Sequence, residues 1–550
     1  MIYHAGVASY SDILTIFQDG KYVEAEKACV EALKETPNSA ELHCLHGDAI
    51  QAQGRFKDSI TPYGLAIKAD PNCFPAWYAA GCALNSLTEY AGALPCLQKA
   101  VGLDPKHLES HHNLGRSLYQ LGDVDEAIRH FRSAIALGEN YPSRTAIATA
   151  IPGSPQASHQ DVLDARVAWA ERYLPKPAPK DQQPHDGFRI GYISSFFESQ
   201  NWMKPVWGVI NNHDRAQFQI FLFSDAPQSD CAGYRPHADD TFIDISNLSN
   251  EEAAARIEQC EVDILIDLNS YSRPERLPVI AAKPAPVIAS WFNLYAPSGI
   301  PACDYLIGDQ YVVKPDEEAF YTEKILRTER SYLTFEVQYT VPDVAPPPCL
   351  TNNFITFGCF ASLYKFTPQT IAAWAEILRL TPGSRLFLKN GLLHRPSNIH
   401  HLKEAFESHQ IDLSRITFEG RAPHFEYLAA YANVDIALDP FPYNGGTTTS
   451  EALWQGVPVL CFEGDRWAAR QGVSLLRSAG LDEFVAADLE GHVASAAKLA
   501  GDPSTPARLK QLRENMRTHL AQSPLCDTAG FTREMEMLYR KVVRRPSPHP

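Results

Sequence analysis

Residues 37–47 read PNSAELHCLHG, residues 71–81 read PNCFPAWYAAG and residues 105–115 read PKHLESHHNLG. Each stretch opens on proline and closes on glycine, and successive copies lie 34 residues apart. Two further columns keep that period: Tyr22, Phe56, Tyr90 and Val124, and Ala32, Ala66, Ala100 and Ala134. Four columns at one spacing define an internal repeat, and a repeat decides the architecture before any single element does. Small Gly and Ala let two helices approach closely. The large residue at the Phe56 and Tyr90 column is expected to fill the gap beside them. Proline ends the second helix because it cannot continue the hydrogen-bond ladder.

This pattern resembles the tetratricopeptide helix–turn–helix unit. About four units fit between residues 4 and 140. Such solenoids offer an extended surface for a peptide or protein partner. His107, His111 and His112 sit at helical spacing without an evident third ligand group, so they read as residues of a repeat helix. The Asp123 and Asp125 pair falls in a repeat turn, where aspartate is at home. A helix is expected over 156–173, followed by a Pro-rich polar linker over 174–188.

The chain has 550 residues and a net charge of −16. That charge is the wrong sign for displacing counterions from nucleic acid, and for an anionic membrane surface. No apolar run reaches the ~18–20 residues of a membrane span. The first residues, MIYHAGVASYSDIL, lack the basic start and apolar stretch of a signal peptide. Twelve scattered cysteines form no C-x-x-C pair, so neither zinc nor a disulfide framework is indicated. The expected compartment is cytoplasmic.

After Phe188 the pattern changes to alternating strands and helices. FRIGYIS (188–194), FQIFLFS (218–224), VDILIDL (262–268) and VIASWF (287–292) read as buried strands, with a helix over 251–260. FITFGCF (354–360) opens a second α/β unit. A helix over 367–380 follows, with Thr367 as N-cap and Pro368 at its first position. SRLFLKN, RITFEG, VDIALD and VPVLCF continue it. The expected organisation is a tetratricopeptide solenoid over 1–141, a helical and Pro-rich linker over 142–187, and two Rossmann-like lobes over 188–345 and 346–550. Two successive Rossmann-like lobes fit the GT-B architecture of glycosyltransferases; many other α/β folds satisfy the same pattern, so the pattern alone does not give function.

Two segments of the second lobe carry chemistry. Lys365, in FGCFASLYKFTP (357–368), lies just past a strand's C-terminal end, where open α/β sheets bind ligands. A fixed cation there stabilises charge on a leaving nucleoside diphosphate. In LDPFPYNGGTTTSEALWQGVPVLCF (438–462), Gly445 and Gly446 lead through Thr447, Thr448 and Thr449 into a helix. Glycine admits a phosphate close to the backbone, and hydroxyls with helix N-terminal amides donate to it. Glu451, expected in the first turn, is placed to accept from ribose hydroxyls.

At these residues the chain resembles the bacterial relatives of protein O-GlcNAc transferase and the plant Spindly protein O-fucosyltransferase. FRIGYISSFF, AAKPAPVIASWFNLYAPSGIPACDYLIGD, LYKFTP and GGTTTSEALWQGVPV carry the likeness. The resemblance implies that Lys365 is the essential diphosphate-contacting lysine. It implies that Gly446, Thr447 and Thr448 form the diphosphate loop, and that Ala422 and His424, in GRAPH, form the base-binding loop. It implies no metal and no cofactor beyond the donor, UDP-GlcNAc or GDP-fucose, and a protein acceptor brought by the array. The O-GlcNAc enzymes usually have Asp where Glu451 stands, whereas Spindly has Glu; they often have Lys at His424, and they carry His where Gly446 stands. Their first-lobe His corresponds to Gln200 or Asn201. Of the asparagine column on their concave face, Leu45, Ala79 and Asn113 keep one member. The expected activity is GlcNAc transfer to Ser or Thr of proteins. The alternatives are fucose transfer from GDP-fucose, favoured by Gly446 and Glu451, and a scaffold with inactive lobes. Asp267 is a candidate proton acceptor or else a strand-end cap.

Overall fold

The computed structural model describes residues 8–177, 185–198, 200–226, 231 and 233–543, the side chains of 200–202 excepted. The expected linker thus falls partly outside the described residues. Two compact units form. The first gathers the chain up to Ile147 together with Ser362–Pro368 and Gly391–Ser408, and the second holds the remainder.

In the first unit, four helix pairs repeat: α1 (Tyr10–Gln18) and α2 (Tyr22–Glu35), α3 (Ala40–Ala52) and α4 (Phe56–Ala69), α5 (Phe74–Ser86) and α6 (Tyr90–Leu103), α7 (Leu108–Gln120) and α8 (Val124–Leu137). Each closing proline stands two residues past a helix end. Its carbonyl is reused six residues later by a ring N–H. His43 Nε2 donates to Pro37 (2.9 Å), Trp77 Nε1 to Pro71 (3.0 Å) and His111 Nε2 to Pro105 (3.1 Å).

The gap beside each glycine is filled by a different column from the expected one. A Cβ on Gly47 would lie 2.5 Å from the Tyr63 ring, one on Gly81 2.6 Å from Leu97, and one on Gly115 2.7 Å from Phe131. Phe56, Tyr90 and Val124 instead begin their helices. The reason is helical phase: the residue that crosses its partner helix lies two turns in, not at the first position. Gly47→Ala is expected to cost about 2 kcal/mol and Gly81→Ala about 1 kcal/mol, by overpacking. The difference arises because the Tyr63 hydroxyl is held by Asp48 (2.8 Å), whereas Leu97 can change rotamer. Thermal denaturation checks this, and equal losses would contradict it.

A fifth column is set by backbone conformation. Gly20, Gly54, Thr88 and Gly122 all turn the chain with positive φ (79°, 77°, 59° and 91°). A β-branched residue is an outlier there. Thr88 keeps the conformation while receiving hydrogen bonds from the Gly391–Ser408 segment: Arg395 Nε donates to its Oγ1 (3.1 Å) and Asn398 Nδ2 to its carbonyl (3.0 Å). Asn398 Oδ1 in turn accepts from the Ala91 amide (3.1 Å). The Ser362–Pro368 segment meets the fourth repeat. Tyr364 stacks on Tyr119 at 5.4 Å, and the Phe366 carbonyl packs so closely on Gly122 that a Cβ would come within 2.3 Å of it.

The histidines and aspartates singled out from the sequence have local roles. His107 caps α7, accepting from the Ser110 amide (3.1 Å). His111 meets His130 (3.0 Å) and His112 meets Ser143 (2.9 Å). Asp123 stands at the start of α8 and Asp125 in its first turn. Asn113 spends its amide on the Tyr78 hydroxyl (3.3 Å) and the Glu109 carbonyl (3.1 Å), while Leu45 is buried.

The second unit contains two wholly parallel sheets. The first is ordered β3-β2-β1-β4-β5-β6-β7: β1 (Phe188–Ser194), β2 (Phe218–Ser224), β3 (Thr241–Asp244), β4 (Ile264–Asp267), β5 (Val287–Ser290), β6 (Tyr305–Asp309) and β7 (Lys324–Thr328). The second runs β10-β9-β8-β11-β12-β13: β8 (Thr356–Cys359), β9 (Arg385–Lys389), β10 (Ile416–Glu419), β11 (Ile436–Leu438), β12 (Val459–Phe462) and β13 (Val485–Ala486). Central strands are buried almost throughout, as covering on both faces requires. The expected helix is present as His159–Tyr173, opened by a Ser158–Asp161 capping box. Its buried Arg166 donates to the carbonyls of Ala148 (3.0 Å) and Pro297 (2.8 Å) and lies over Tyr271. The last helix, Thr528–Val542, packs back on the first-lobe helix Gln200–Asn212. There His213 bridges Tyr192 (2.8 Å) and Glu536 (2.8 Å). Among the described residues no two cysteines are joined in a disulfide, and no helix is long and apolar enough to cross a membrane.

Candidate active site

The central strands of the second sheet set the site's parts. β11 ends at Leu438, and Asp439 follows as a buried carboxylate. Its Oδ1 accepts from the Gly445 amide (2.7 Å) and draws the intervening loop into a tight return. A Cβ on Gly445 would lie 2.3 Å from Thr448 Oγ1 and 2.8 Å from Thr449 Oγ1, so any side chain here would displace both hydroxyls. Gly446 is the N-cap of the helix Thr447–Trp454. The first intrahelical bond runs from the Ser450 amide to the Gly446 carbonyl (3.1 Å). The amides of Thr447, Thr448 and Thr449 therefore precede the ladder, with the positive end of the helix dipole behind them.

The three threonines differ. Thr447 and Thr448 are half-buried. Thr449 is buried and turns its hydroxyl back to the Gly445 carbonyl (3.1 Å), stiffening the loop. The Thr448 carbonyl accepts from the Tyr431 hydroxyl (3.2 Å), and Tyr431 stacks on Phe360, just past β8, at 4.0 Å. The loop is thus fastened to β8 as well as to its own strand.

Lys365 ends a short turn of 3₁₀ helix, Leu363–Lys365, within the segment that packs with the repeats. It is half-buried. The helix after it begins at Pro368, as expected. Ala422 is half-buried beside Pro423, and His424 opens the helix His424–Ala429.

Glu451 departs from its expected place. The helix starts at Thr447, so Glu451 stands in the second turn, and no acidic residue occupies the first. Its carboxylate is buried against the Lys204 ammonium, which also lies 3.0 Å from His424 Nε2. His424 Nε2 is itself 3.3 Å from Glu451 Oε1. Lys204 comes from the first lobe, on the helix Gln200–Asn212. Burial lowers its basicity, and the Glu451 charge opposes that shift. The Gln200 and Asn201 side chains, at the expected first-lobe His position, lie outside the described ones.

Asp267 is a strand-end cap. It is buried and accepts from the amides of Asn269 (3.0 Å) and Ser270 (3.2 Å) and from Ser290 Oγ (3.1 Å). Burial raises its pKa while those bonds oppose the rise. Ser270 adopts a φ of 46° to close the cap.

Two residues of the arrangement are not legible as site residues in the sequence. Asp439 carries a weak signal, an acid ending an apolar strand before a Gly-rich loop. Lys204 carries none, since its partners lie more than two hundred residues away.

A tetratricopeptide array and two parallel-sheet lobes, the second with a glycine-capped helix beyond an interior strand, make this a repeat-bearing GT-B protein. The glycosyl transferase family 41 model matches residues 164–345 and 338–535, and a tetratricopeptide model matches 78–145 and 112–182. The chain belongs to glycosyl transferase family 41. It is similar to the probable UDP-N-acetylglucosamine–peptide N-acetylglucosaminyltransferase SPINDLY of Solanum lycopersicum, at 30% identity over 71% of this chain and 43% of that protein. The corresponding protein SEC of Arabidopsis thaliana is 27% identical over 70% of this chain and 40% of its own length. The chain therefore spans less than half the length of these curated relatives. The solved structure of a point mutant of Thermobaculum terrenum O-GlcNAc transferase is 32% identical, with a TM-score of 0.76, covering 91% of this chain and 96% of that one.

Proposed function

We propose that the chain transfers GlcNAc from UDP-GlcNAc to Ser or Thr hydroxyls of proteins, in the cytoplasm and without a metal ion. The observation that carries this reading is the Gly446-capped helix. Its leading amides and the half-buried Thr447 and Thr448 offer several donors to a diphosphate, and Asp439 fixes the loop that presents them. The similar proteins, named as N-acetylglucosaminyltransferases acting on peptides, suggest the sugar and the protein acceptor. Ala422 and His424 are assigned to the nucleoside. Lys365 is assigned the charge that develops on the leaving diphosphate. The repeat array is assigned the acceptor, with a surface that differs from an asparagine ladder because the Asn113 amide is already bonded within its own repeats. The proton acceptor is left unassigned, since Asp267 is occupied as a cap.

A second donor is carried by specific residues: Gly446 ahead of the threonines and Glu451 in the helix favour GDP-fucose. Release of UDP or GDP by the purified protein, with each donor and a protein acceptor mixture, separates the two. Transfer from UDP-GlcNAc that persists in excess EDTA is the expected result. Transfer from GDP-fucose alone would replace the donor, and release from neither would leave a binding scaffold.

A further inference from the structure

Lys204 has three ammonium hydrogens, no acceptor, and three partners. One hydrogen goes to Glu451 Oε1 and one to His424 Nε2 at 3.0 Å. The third faces the ring of Tyr339, whose centroid is 4.6 Å from Nζ, a cation–π distance. The cation is buried, so water does not compete for these positions. An ammonium only donates. His424 Nε2 must then accept, and a neutral ring carries its proton on Nδ1. A proton on Nε2 would point one N–H at another across 3.0 Å. A doubly protonated ring would set a second cation beside the first. The ammonium lies between the ring and the carboxylate and donates to both, which also offsets the 3.3 Å approach of Nε2 to Oε1.

We propose that Lys204 is a positioning residue of the donor site: it commits His424 to the Nδ1–H tautomer and holds Glu451 in its rotamer, so that the nucleoside meets an N–H at His424. The ligand chemistry this selects is an oxygen acceptor, a ribose hydroxyl or a base carbonyl. The assignment of the nucleoside to His424 rests on the reading above. The tautomer does not, since it follows from the residues alone. Lys204 also joins the first-lobe helix to two second-lobe helices within one hydrogen-bonded cluster, which explains a fully buried lysine away from any phosphate-binding role.

The test is nitrogen NMR of the full chain labelled with ¹⁵N-histidine, with His424 assigned by its loss in His424→Gln. The expected spectrum shows a protonated Nδ1 and an unprotonated Nε2. Lys204→Met is expected to move His424 toward the Nε2–H form and to weaken UDP binding about tenfold, equivalent to ~1.4 kcal/mol. Lys204→Arg, which still donates, is expected to restore both. With a donor in turnover, KM should rise more than kcat falls. 2′-Deoxy-UDP separates the two oxygen sources: a ribose partner makes the Lys204→Met effect vanish with it, and a base partner leaves the effect intact. A wild-type His424 protonated on Nε2 overturns the proposal even if Lys204→Met fails to fold. So does an unchanged tautomer in a folded Lys204→Met. An Nδ1–H ring in a protein that binds neither UDP nor GDP supports the tautomer role and sinks the donor reading instead.

Discussion

Replacing Lys365 with methionine is expected to lower kcat about 10²–10³-fold, the usual consequence of removing one preorganised charge from a developing anion. The melting temperature should stay near that of the parent protein, because the side chain is half-buried at the end of a short turn and methionine keeps its apolar stem. Binding of the intact UDP-GlcNAc should weaken by far less than the rate falls, since the diphosphate carries more charge as it leaves than while it is bonded to the sugar. Steady-state release of UDP, with calorimetric titration of the intact donor, measures the split. A rate within threefold of the parent would remove Lys365 from the mechanism and shift the whole diphosphate charge to the Gly446-capped helix.

Gly122→Ala is expected to be the most destructive single methyl addition in the repeats, at about 3 kcal/mol. Two terms add. A non-glycine residue at a φ of 91° is strained by ~1–3 kcal/mol. The new Cβ would also lie 2.3 Å from the Phe366 carbonyl and 2.7 Å from its carbon, and these are backbone atoms with no rotamer to change. Gly54→Ala is the control, with a φ of 77° and nothing within 4 Å, and should cost only the strain. Hydrogen exchange should show Ser362–Pro368 opening in Gly122→Ala and not in Gly54→Ala. Transfer activity should fall with it, because Lys365 belongs to that segment. Full protection of 362–368 in Gly122→Ala would mean that the contact does not seat it.

Much of this was legible because the forces involved are local and periodic. Proline and glycine 34 residues apart dictate helix ends and close approach within each repeat. The mostly apolar runs of β1 and β2, each interrupted near its start by one polar residue (Arg189 and Gln219), announce strands covered on both faces. Phe56 and Tyr90 are large but lie at the wrong helical phase to face the glycines, and size is more visible in a sequence than phase. The two-residue β13 and the edge strand β3, which buries only Ile243, lack a run long enough to stand out. In the site, Gly445, Gly446 and the threonines are contiguous, so their chemistry reads directly from the chain. Thr449 reads like its neighbours, yet only the fold reveals that its hydroxyl turns inward. Glu451 falls outside the first turn for a plain reason: the helix begins at Thr447, earlier than a loop containing three threonines suggests. The Lys204 cluster is invisible to any local reading, since tertiary packing alone brings residues 204, 424 and 451 together.

Thr88 and Gly122 occupy the same place in successive repeats, and each is specialised for a different segment from the distant part of the chain. Portability follows from that. Repeats in an ordinary solenoid are interchangeable parts, and a lineage or an engineer can lengthen or replace them one at a time. Here the first two helix pairs retain that freedom, with open space around Gly20 and Gly54. The third and fourth do not. A transplanted array with the same period would match the helices and still lack the threonine that receives Arg395 and the glycine that admits Phe366. The array's outer half is a replaceable adaptor, and its inner half is inherited together with the lysine it seats.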